Sequence, residues 1–332
     1  MMTAFKNNIE DGYFQTKKKL TPAQKEDIEK SDVKVYENFY IEQKLTNGST
    51  IRFFKNRKEV DKVCLMKGKM PKKSGEIAVD RMYADNNELK VGDTVKSRKK
   101  TFRITGLVAL SDYSALFQNN NDTMFDAVKF GVAIVTDKDF EALNQVKVQY
   151  NYAWIYDKKP ATEKKEKKMA EDLMEDMADV VTIESFVPQY QNQSIHFTGD
   201  DMGSDRAMIV MLLYIVMAIL AFVFGITISN TIRKEAGVIG TLRASGYTRR
   251  ELILHYMALP VVITLIGALV GNILGYTVLK QVCAGMYYGS YSLPTYKTIW
   301  NAEAFLMTTV VPVIIMFVVN YAILHHKLKL SP

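Results

Sequence analysis

The residues best suited to chemistry lie in a short polar segment, Thr231–Leu252. It contains Arg243, Arg249 and Arg250, whose planar guanidinium groups can each bind a carboxylate through paired hydrogen bonds. Its apolar residues recur near a period of 3.6, which predicts an amphipathic helix that Gly246 interrupts. The pattern indicates a surface that docks a soluble partner.

Motifs that mark catalytic sites are missing from the sequence. It has no phosphate-binding glycine loop with a lysine, no HExxH and no GxSxG. Its four histidines are dispersed, and Cys64 and Cys283 are too few for a disulfide framework. We therefore expect no enzyme, and no cofactor or metal bound by this chain.

Three long apolar stretches define the elements that position the polar segment, at about 207–230, 256–279 and 304–324. A helix of roughly 20 residues crosses the apolar core of a membrane, so each stretch predicts a transmembrane helix. The loop after the first stretch is basic, whereas the residues just before that stretch are acidic. Because short basic loops stay in the cytoplasm, the domain that precedes the first helix is predicted to be extracytoplasmic.

The residue types inside these apolar stretches indicate which functions the helices can have. No Asp, Glu, Lys or Arg lies within them, which argues against an ion-coupled transporter or channel. Asn272 and Asn320 are each expected to form one hydrogen bond between helices. Gly267, Gly271 and Gly275 share one helix face and allow another helix to approach, either from the same bundle or from a second copy.

Residues 1–187 alternate in the manner of strands and predict an α+β domain. Residues 1–20 are expected to be a polar lead-in, followed by a helix from Thr21 to about Lys30. The aromatic row on Tyr150–Tyr156 is predicted to pack against a helix in preference to forming a ligand platform. Residues 188–206 are predicted to be a polar connector.

The distribution of charge along the chain indicates whether the protein binds nucleic acid. The net charge of +7 comes from 43 basic and 36 acidic residues that are interspersed along the chain. Basic clusters such as Lys17–Lys19 and Arg98–Lys100 are followed by acidic residues, which favours solvated faces over a nucleic-acid surface.

Two groups of residues resemble one protein family. Arg233-Lys234-Glu235 and Leu242–Leu252, with the glycine-rich stretch that follows, resemble the FtsX-like permease domain of type VII, or MacB-like, ABC transporters. Gly75–Val79, Val91–Asp93 and Thr101–Val108 resemble the extracytoplasmic core domain of the same permeases.

The resemblance implies an α+β extracytoplasmic domain joined to an all-α bundle of three transmembrane helices, 207–332, in the plasma membrane. It implies a permease subunit that couples ATP binding and hydrolysis by a partner ABC ATPase to motion of the outer domain, in export or mechanotransmission. The ATPase would dock on a cytoplasmic coupling helix, 233–252. The implied contact residues are Arg233, Lys234, Glu235, Arg243, Gly246, Tyr247, Arg249 and Arg250.

Further partners implied are the lipid bilayer, a second permease half or copy, and an extracytoplasmic peptide, lipid or protein. The alternative hypothesis is a membrane sensor or regulatory scaffold that acts on a kinase or a cell-wall hydrolase without transport. The family has a span before the outer domain, and this sequence has none. We therefore expect the chain to be the first half or a fragment of a longer permease that lacks its N-terminal transmembrane helix.

Overall fold

The computed structural model describes residues 8–97, 100–143 and 145–328, except the side chain of Val146. Arg98 and Lys99, from one of the basic clusters, lie outside this range. The described chain divides into two units. Residues 8–201 and 286–298 form the strand-rich unit, and residues 202–285 and 299–328 form the helical unit.

The strand-rich unit has an α+β fold. Its described strands are β1 (Gly12–Thr16), β2 (Val33–Glu37), β3 (Tyr40–Lys44), β4 (Thr50–Lys55), β5 (Val63–Gly68), β6 (Glu76–Asp80), β7 (Thr94–Lys96), β8 (Thr101–Leu110), β9 (Phe130–Val135), β10 (Val148–Tyr156) and β11 (Ile183–Pro188). Its helices are α1 (Pro22–Glu29), α2 (Arg81–Asn86), α3 (Asp137–Ala142) and α4 (Glu163–Ala178).

Strand β10 joins two parts of one sheet, whose order is β11-β1-β10-β3-β4-β9-β6-β8-β5. It pairs with β1, β2 and β3, all antiparallel. The pairs β4–β9 and β6–β8 are parallel. One apolar core includes Phe53 and Phe102, and a second includes Phe14 and Trp154. The strand-rich unit therefore has two cores beside one continuous sheet.

The predicted start of α1 is confirmed. Thr21 forms a capping box with Gln24, and Pro22 occupies the first turn. The packing predicted for the aromatic row is also confirmed. Tyr152 stacks on Phe14 with ring centres 5.2 Å apart, and Leu173 and Met177 of α4 lie in the same core.

The lead-in predicted for residues 1–20 is wrong, because Gly12–Thr16 form β1. Phe14 is fully buried between neighbouring strands. A Cβ atom at Gly12 would lie 2.2 Å from the ring of Trp154, so this close contact requires glycine. The strand is short and flanked by lysines, and its stabilising partners lie far along the chain.

The helical unit is built from apolar helices. Its elements, of which α5 and α8 extend into the strand-rich unit, are α5 (Gln193–Lys234), α6 (Ala236–Ala244), α7 (Arg249–Leu274), a π-helical turn (Gly275–Leu279), α8 (Lys280–Ser290), α9 (Ala302–Phe305), a second π-helical turn (Leu306–Val310) and α10 (Val311–Lys327). Within the described residues, three continuous helices are long and apolar enough to cross a membrane: Gln193–Lys234, Arg249–Ser290 and Ala302–Lys327.

The predicted fold class, an α+β domain followed by three long apolar helices, is confirmed. The first helix begins at Gln193, inside the segment predicted as a connector. The reason is local packing within the strand-rich unit. Phe197 contacts Phe117 with ring centres 5.3 Å apart, and Thr198 lies 3.0 Å from the hydroxyl of Ser114.

Asn272 and Asn320, for which the sequence predicts one inter-helix hydrogen bond each, behave differently. Asn272 donates to the hydroxyl of Thr309 at 2.9 Å, so its predicted inter-helix hydrogen bond is confirmed. Asn320 instead donates to the carbonyl of Met316 in its own helix, so that prediction is wrong. The close helix approach lies at Gly225, where a Cβ atom would be 2.5 Å from Ile323.

Residues 286–298 belong to the strand-rich unit and are fixed there by polar contacts. Arg81 donates to the backbone carbonyls of Tyr288 and Tyr291 at 2.8 and 2.7 Å. Ser292 is fully buried and donates its hydroxyl hydrogen bond to Asp80, the N-cap residue of α2. Burial raises the pKa of Asp80 to about 6. These contacts bind the segment between two apolar helices to the start of α2.

We predict that Ser292→Ala destabilises the strand-rich unit by about 1.5–3 kcal/mol at pH 8, where Asp80 is ionised and loses a hydroxyl donor. The cost should be smaller at pH 5, where Asp80 is largely protonated. In the wild type, the raised pKa of Asp80 adds to the free energy of unfolding. That contribution is complete below pH 4 and is lost as the pH rises through about 6, because the pKa is about 6 in the folded chain and has its ordinary value of 3.8 in the unfolded chain.

The measurement is thermal unfolding of the whole chain, followed by near-ultraviolet circular dichroism at both pH values. Ser290→Ala removes a hydroxyl from an exposed neighbouring residue and serves as the control. Equal effects of the two variants, or a larger effect of Ser292→Ala at pH 5, would contradict the assigned role of the hydrogen bond to Asp80.

Candidate functional site in a capped polar turn

The candidate site is the polar segment Thr231–Leu252, in which α6 ends in a closed C-terminal cap. The amide of Gly246 donates to the carbonyl of Arg243, and the amide of Tyr247 donates to the carbonyl of Leu242, both at 3.1 Å. This pair of bonds is the Schellman motif. Gly246 has φ +98°, a left-handed conformation that favours glycine.

Helix α7 begins two residues later with its own cap. The amide of Thr248 donates to the carboxylate of Glu251 at 2.7 Å, and the amide of Glu251 donates to the hydroxyl of Thr248 at 3.4 Å. These reciprocal bonds form a capping box. The two helices are thus joined by a turn that satisfies its own backbone.

An apolar cluster seats α6 on the ends of its neighbours in the helical unit. Ile239 of α6 is buried with residues of α5, α7 and α10: Ile228, Leu252, Ile253, Met257 and Leu324. Beside the cluster, the hydroxyl of Tyr256 donates to Glu235 at 2.5 Å. The opposite face of α6 is open, with Val238 59% exposed. A force applied to that open face would act on all three helix ends.

The structure separates the predicted contact residues into two groups. Glu235, Gly246 and Arg249 make contacts inside the helical unit, where Arg249 donates to the backbone carbonyl of His325. The other side chains are exposed: Arg233, Lys234, Arg243, Tyr247 and Arg250. A docking role for any of them stays a prediction.

Sequence reasoning missed the supporting residues of this site. The Thr248 and Glu251 pair has the T-x-x-E spacing of a capping box, so the sequence contained the signal. The bond between Glu235 and Tyr256 had no such signal, because it joins residues 21 positions apart on two helices.

The three glycines of α7 and its extension face open space. A Cβ atom added at Gly267, Gly271 or Gly275 would meet no atom within 4 Å. Contact of this face with a helix from another copy stays a prediction.

Comparison with known proteins gives a family for the helical region. Residues 210–328 match the FtsX-like permease C-terminal family. Two solved structures align with about half of the chain. The extracellular domain of the noncanonic ABC-type transporter YknZ from Gram-positive bacteria has 12% identity and a TM-score of 0.28, over 53% of this chain and 97% of that one. The periplasmic region of MacB from Actinobacillus actinomycetemcomitans has 13% identity and a TM-score of 0.28, over 52% and 87%. No curated protein matches the chain.

We predict that Gly246→Ala opens the turn, since a left-handed backbone costs an L-residue about 1–2 kcal/mol. The amides of residues 246 and 247 should exchange with deuterium about 5–30-fold faster, measured by mass spectrometry on the whole chain. Gly240→Ala, inside α6 and equally free of steric contact, is the matched control and should not speed exchange. Similar acceleration by both variants would show that the left-handed conformation is not what closes the turn.

Proposed function

We propose that this chain, whose residues 210–328 match the FtsX-like permease C-terminal family, is the permease subunit of an ABC transporter in the plasma membrane. In this proposal a separate ATPase binds and hydrolyses ATP, and the chain itself is not an enzyme. The observation that carries the proposal is the seating of α6 by one apolar cluster on the ends of α5, α7 and α10. A partner that moves α6 would thereby move all three helices.

The docking surface in this proposal consists of the exposed residues around the turn. Arg243 lies in the last turn of α6 and Arg250 in the first turn of α7, on either side of Tyr247, which is 52% exposed. Arg233 and Lys234 add positive charge at the last turn of α5. Arginine binds carboxylates through paired donors, so an acidic groove on the ATPase is the complementary surface.

Transmission in this proposal follows the covalent chain. Helix α5 runs unbroken through 42 residues, a length of about 63 Å at about 1.5 Å per residue. Its first turns pack in the strand-rich unit through Phe197, and the segment 286–298 is fixed in the same unit by Arg81. Displacement of the helices would therefore act on the strand-rich unit at two separate attachments.

The interior of the helices is better suited to transmitting force than to conducting an ion along a polar path. In the second and third apolar stretches, the amide nitrogen of Asn272 donates to Thr309 and that of Asn320 donates to the carbonyl of Met316. A path for an ion usually needs charged groups in the span, and the sequence has none there. Export or regulation of an outer protein without transport would both use this transmission.

We predict that the strand-rich unit faces away from the cytoplasm. The native protein in intact cells, with the exposed Cys283 replaced by alanine, should react with a membrane-impermeant thiol reagent at Asn121→Cys and not at Ser245→Cys. Both positions are exposed in the chain, so accessibility differs only by side of the membrane. Opening the cells should label Ser245→Cys as well. The reverse pattern in intact cells would overturn the proposed topology.

We also predict that Arg243→Lys with Arg250→Lys weakens ATPase docking while insertion stays normal. Lysine keeps the charge that sets topology but lacks the paired donors of arginine. Complete loss of one partner from a desolvated charge pair costs roughly 2–5 kcal/mol, which is the upper limit for this partial loss. We expect recovery of an ABC ATPase with the tagged permease, quantified by mass spectrometry, to fall at least about tenfold. ATP hydrolysis in the purified complex should fall with it.

The matched control is Arg206→Lys, an exposed arginine at the other end of α5 that pairs with Glu303 at 2.7 Å. It should leave ATPase recovery unchanged. Full recovery with the double variant would mean that these arginines only orient the helices and that the ATPase docks elsewhere.

A further inference from the structure

The strand-rich unit contains a polar cavity of about 250 Å³. The register of three paired strands determines which side chains form its floor. Gln15 of β1 lies opposite Asn151 of β10 and Ser185 of β11, so the three side chains share one face of the sheet. Tyr13, two residues before Gln15, adds its ring to the same face, and Asn38 and Asn192 line the walls. Phe14 points to the other face, into an apolar core.

The charged groups at the cavity are already paired. Arg52 is 8% exposed and donates to Glu42 at 2.9 and 2.5 Å, to the carbonyl of Gln118 at 2.7 Å and to the hydroxyl of Tyr113 at 2.5 Å. Asp112 accepts two hydrogen bonds from Arg57, at 2.5 and 2.8 Å. Neither arginine therefore offers a free charge to an anionic ligand.

The remaining acid at the cavity is Glu10. Glu10 is 2% exposed and accepts from Asn192 at 3.3 Å. Burial, and then the nearby charge of Asp61, raises its pKa well above the ordinary value. A raised pKa favours the protonated carboxyl, which attracts a cationic ligand less than a carboxylate does.

The groups left for recognition are neutral donors and acceptors. Among the described residues, the hydroxyl of Tyr13 and the amide nitrogens of Asn38 and Asn151 have no hydrogen-bond partner. Asn38 and Asn151 are only 6% and 7% exposed, so these groups are held close beside the cavity. Carboxamides and phenols both donate and accept, which matches ligand hydroxyl groups. The aromatic ring of Tyr13 offers an apolar surface beside them.

We propose that this cavity binds a neutral sugar residue. Polar groups without internal partners supply its hydrogen bonds, and the paired charges leave no anchor for a phosphate, carboxylate or ammonium group. The volume lies below the range of about 300–1,000 Å³ that drug-sized ligands occupy, so a single ring is the fitting size. The site belongs to the strand-rich unit and does not depend on the proposed ATPase coupling.

The test uses the full chain in a detergent without sugar head groups, with N-acetylglucosamine and glucose as probes. Saturation-transfer NMR and calorimetric titration should show saturable binding of at least one sugar. Tyr13→Phe removes a hydroxyl without breaking an internal hydrogen bond, and should weaken binding about 2–10-fold. Tyr36→Phe, on β2 and away from the cavity, is the matched control and should leave the affinity unchanged.

Ser185→Phe fills the cavity floor and should abolish binding, with thermal unfolding confirming that the chain remains folded. If it does not fold, the Tyr13→Phe and Tyr36→Phe comparison decides. Absence of sugar binding overturns the proposal, as does binding of glycylglycine or inorganic phosphate in place of sugar, or equal weakening by the two tyrosine variants. ATPase recovery with Tyr13→Phe should equal that of the wild type, so failure here is distinct from failure of the permease proposal.

Discussion

Backbone polarity at the ends of apolar helices is the constraint on which the helical unit depends. Unpaired carbonyls and amides are costly wherever water is scarce, so the turn from α6 to α7 must satisfy its own groups. It does so with a Schellman motif at Gly246 and a capping box between Thr248 and Glu251. The hydrogen bonds that close the turn therefore come from its own backbone and from Thr248 and Glu251.

The strand-rich unit depends on a buried carboxylate in a comparable way. Asp80 caps α2 through the amides of Met82 and Tyr83, and its second oxygen accepts from Ser292. One residue therefore orders a helix start and holds a segment from more than 200 positions away in the sequence. Arg81, its neighbour, fixes the same segment through two carbonyls. The link between two apolar helices is thereby made part of the fold of the strand-rich unit.

The two candidate surfaces use charge in opposite ways. Around the capped turn, basic side chains are exposed on helix ends whose apolar faces are buried. At the cavity, Arg52 is paired with Glu42 and Asp112 is paired with Arg57. The amide nitrogens of Asn38 and Asn151 and the hydroxyl of Tyr13 remain available there. An exposed basic surface is suited to an acidic protein, and a charge-balanced cavity is suited to a neutral ligand. In the two proposals, the docking of a partner protein and the binding of a ligand are therefore assigned to different units of the chain.

The sequence by itself determined whatever rests on composition or short spacing: the three apolar helices, the cap at Thr21 and the break at Gly246. The aromatic row of β10 was also predictable, because alternation places those rings on one face. Only the tertiary structure decided β1, the bond from Arg249 to His325, the placement of Ser292 and the cavity. Each of these joins residues far apart in the sequence, such as Gln15 and Asn151, and no local pattern records which distant strand or helix supplies the partner. Their register follows from packing of the whole unit, which local spacing does not encode.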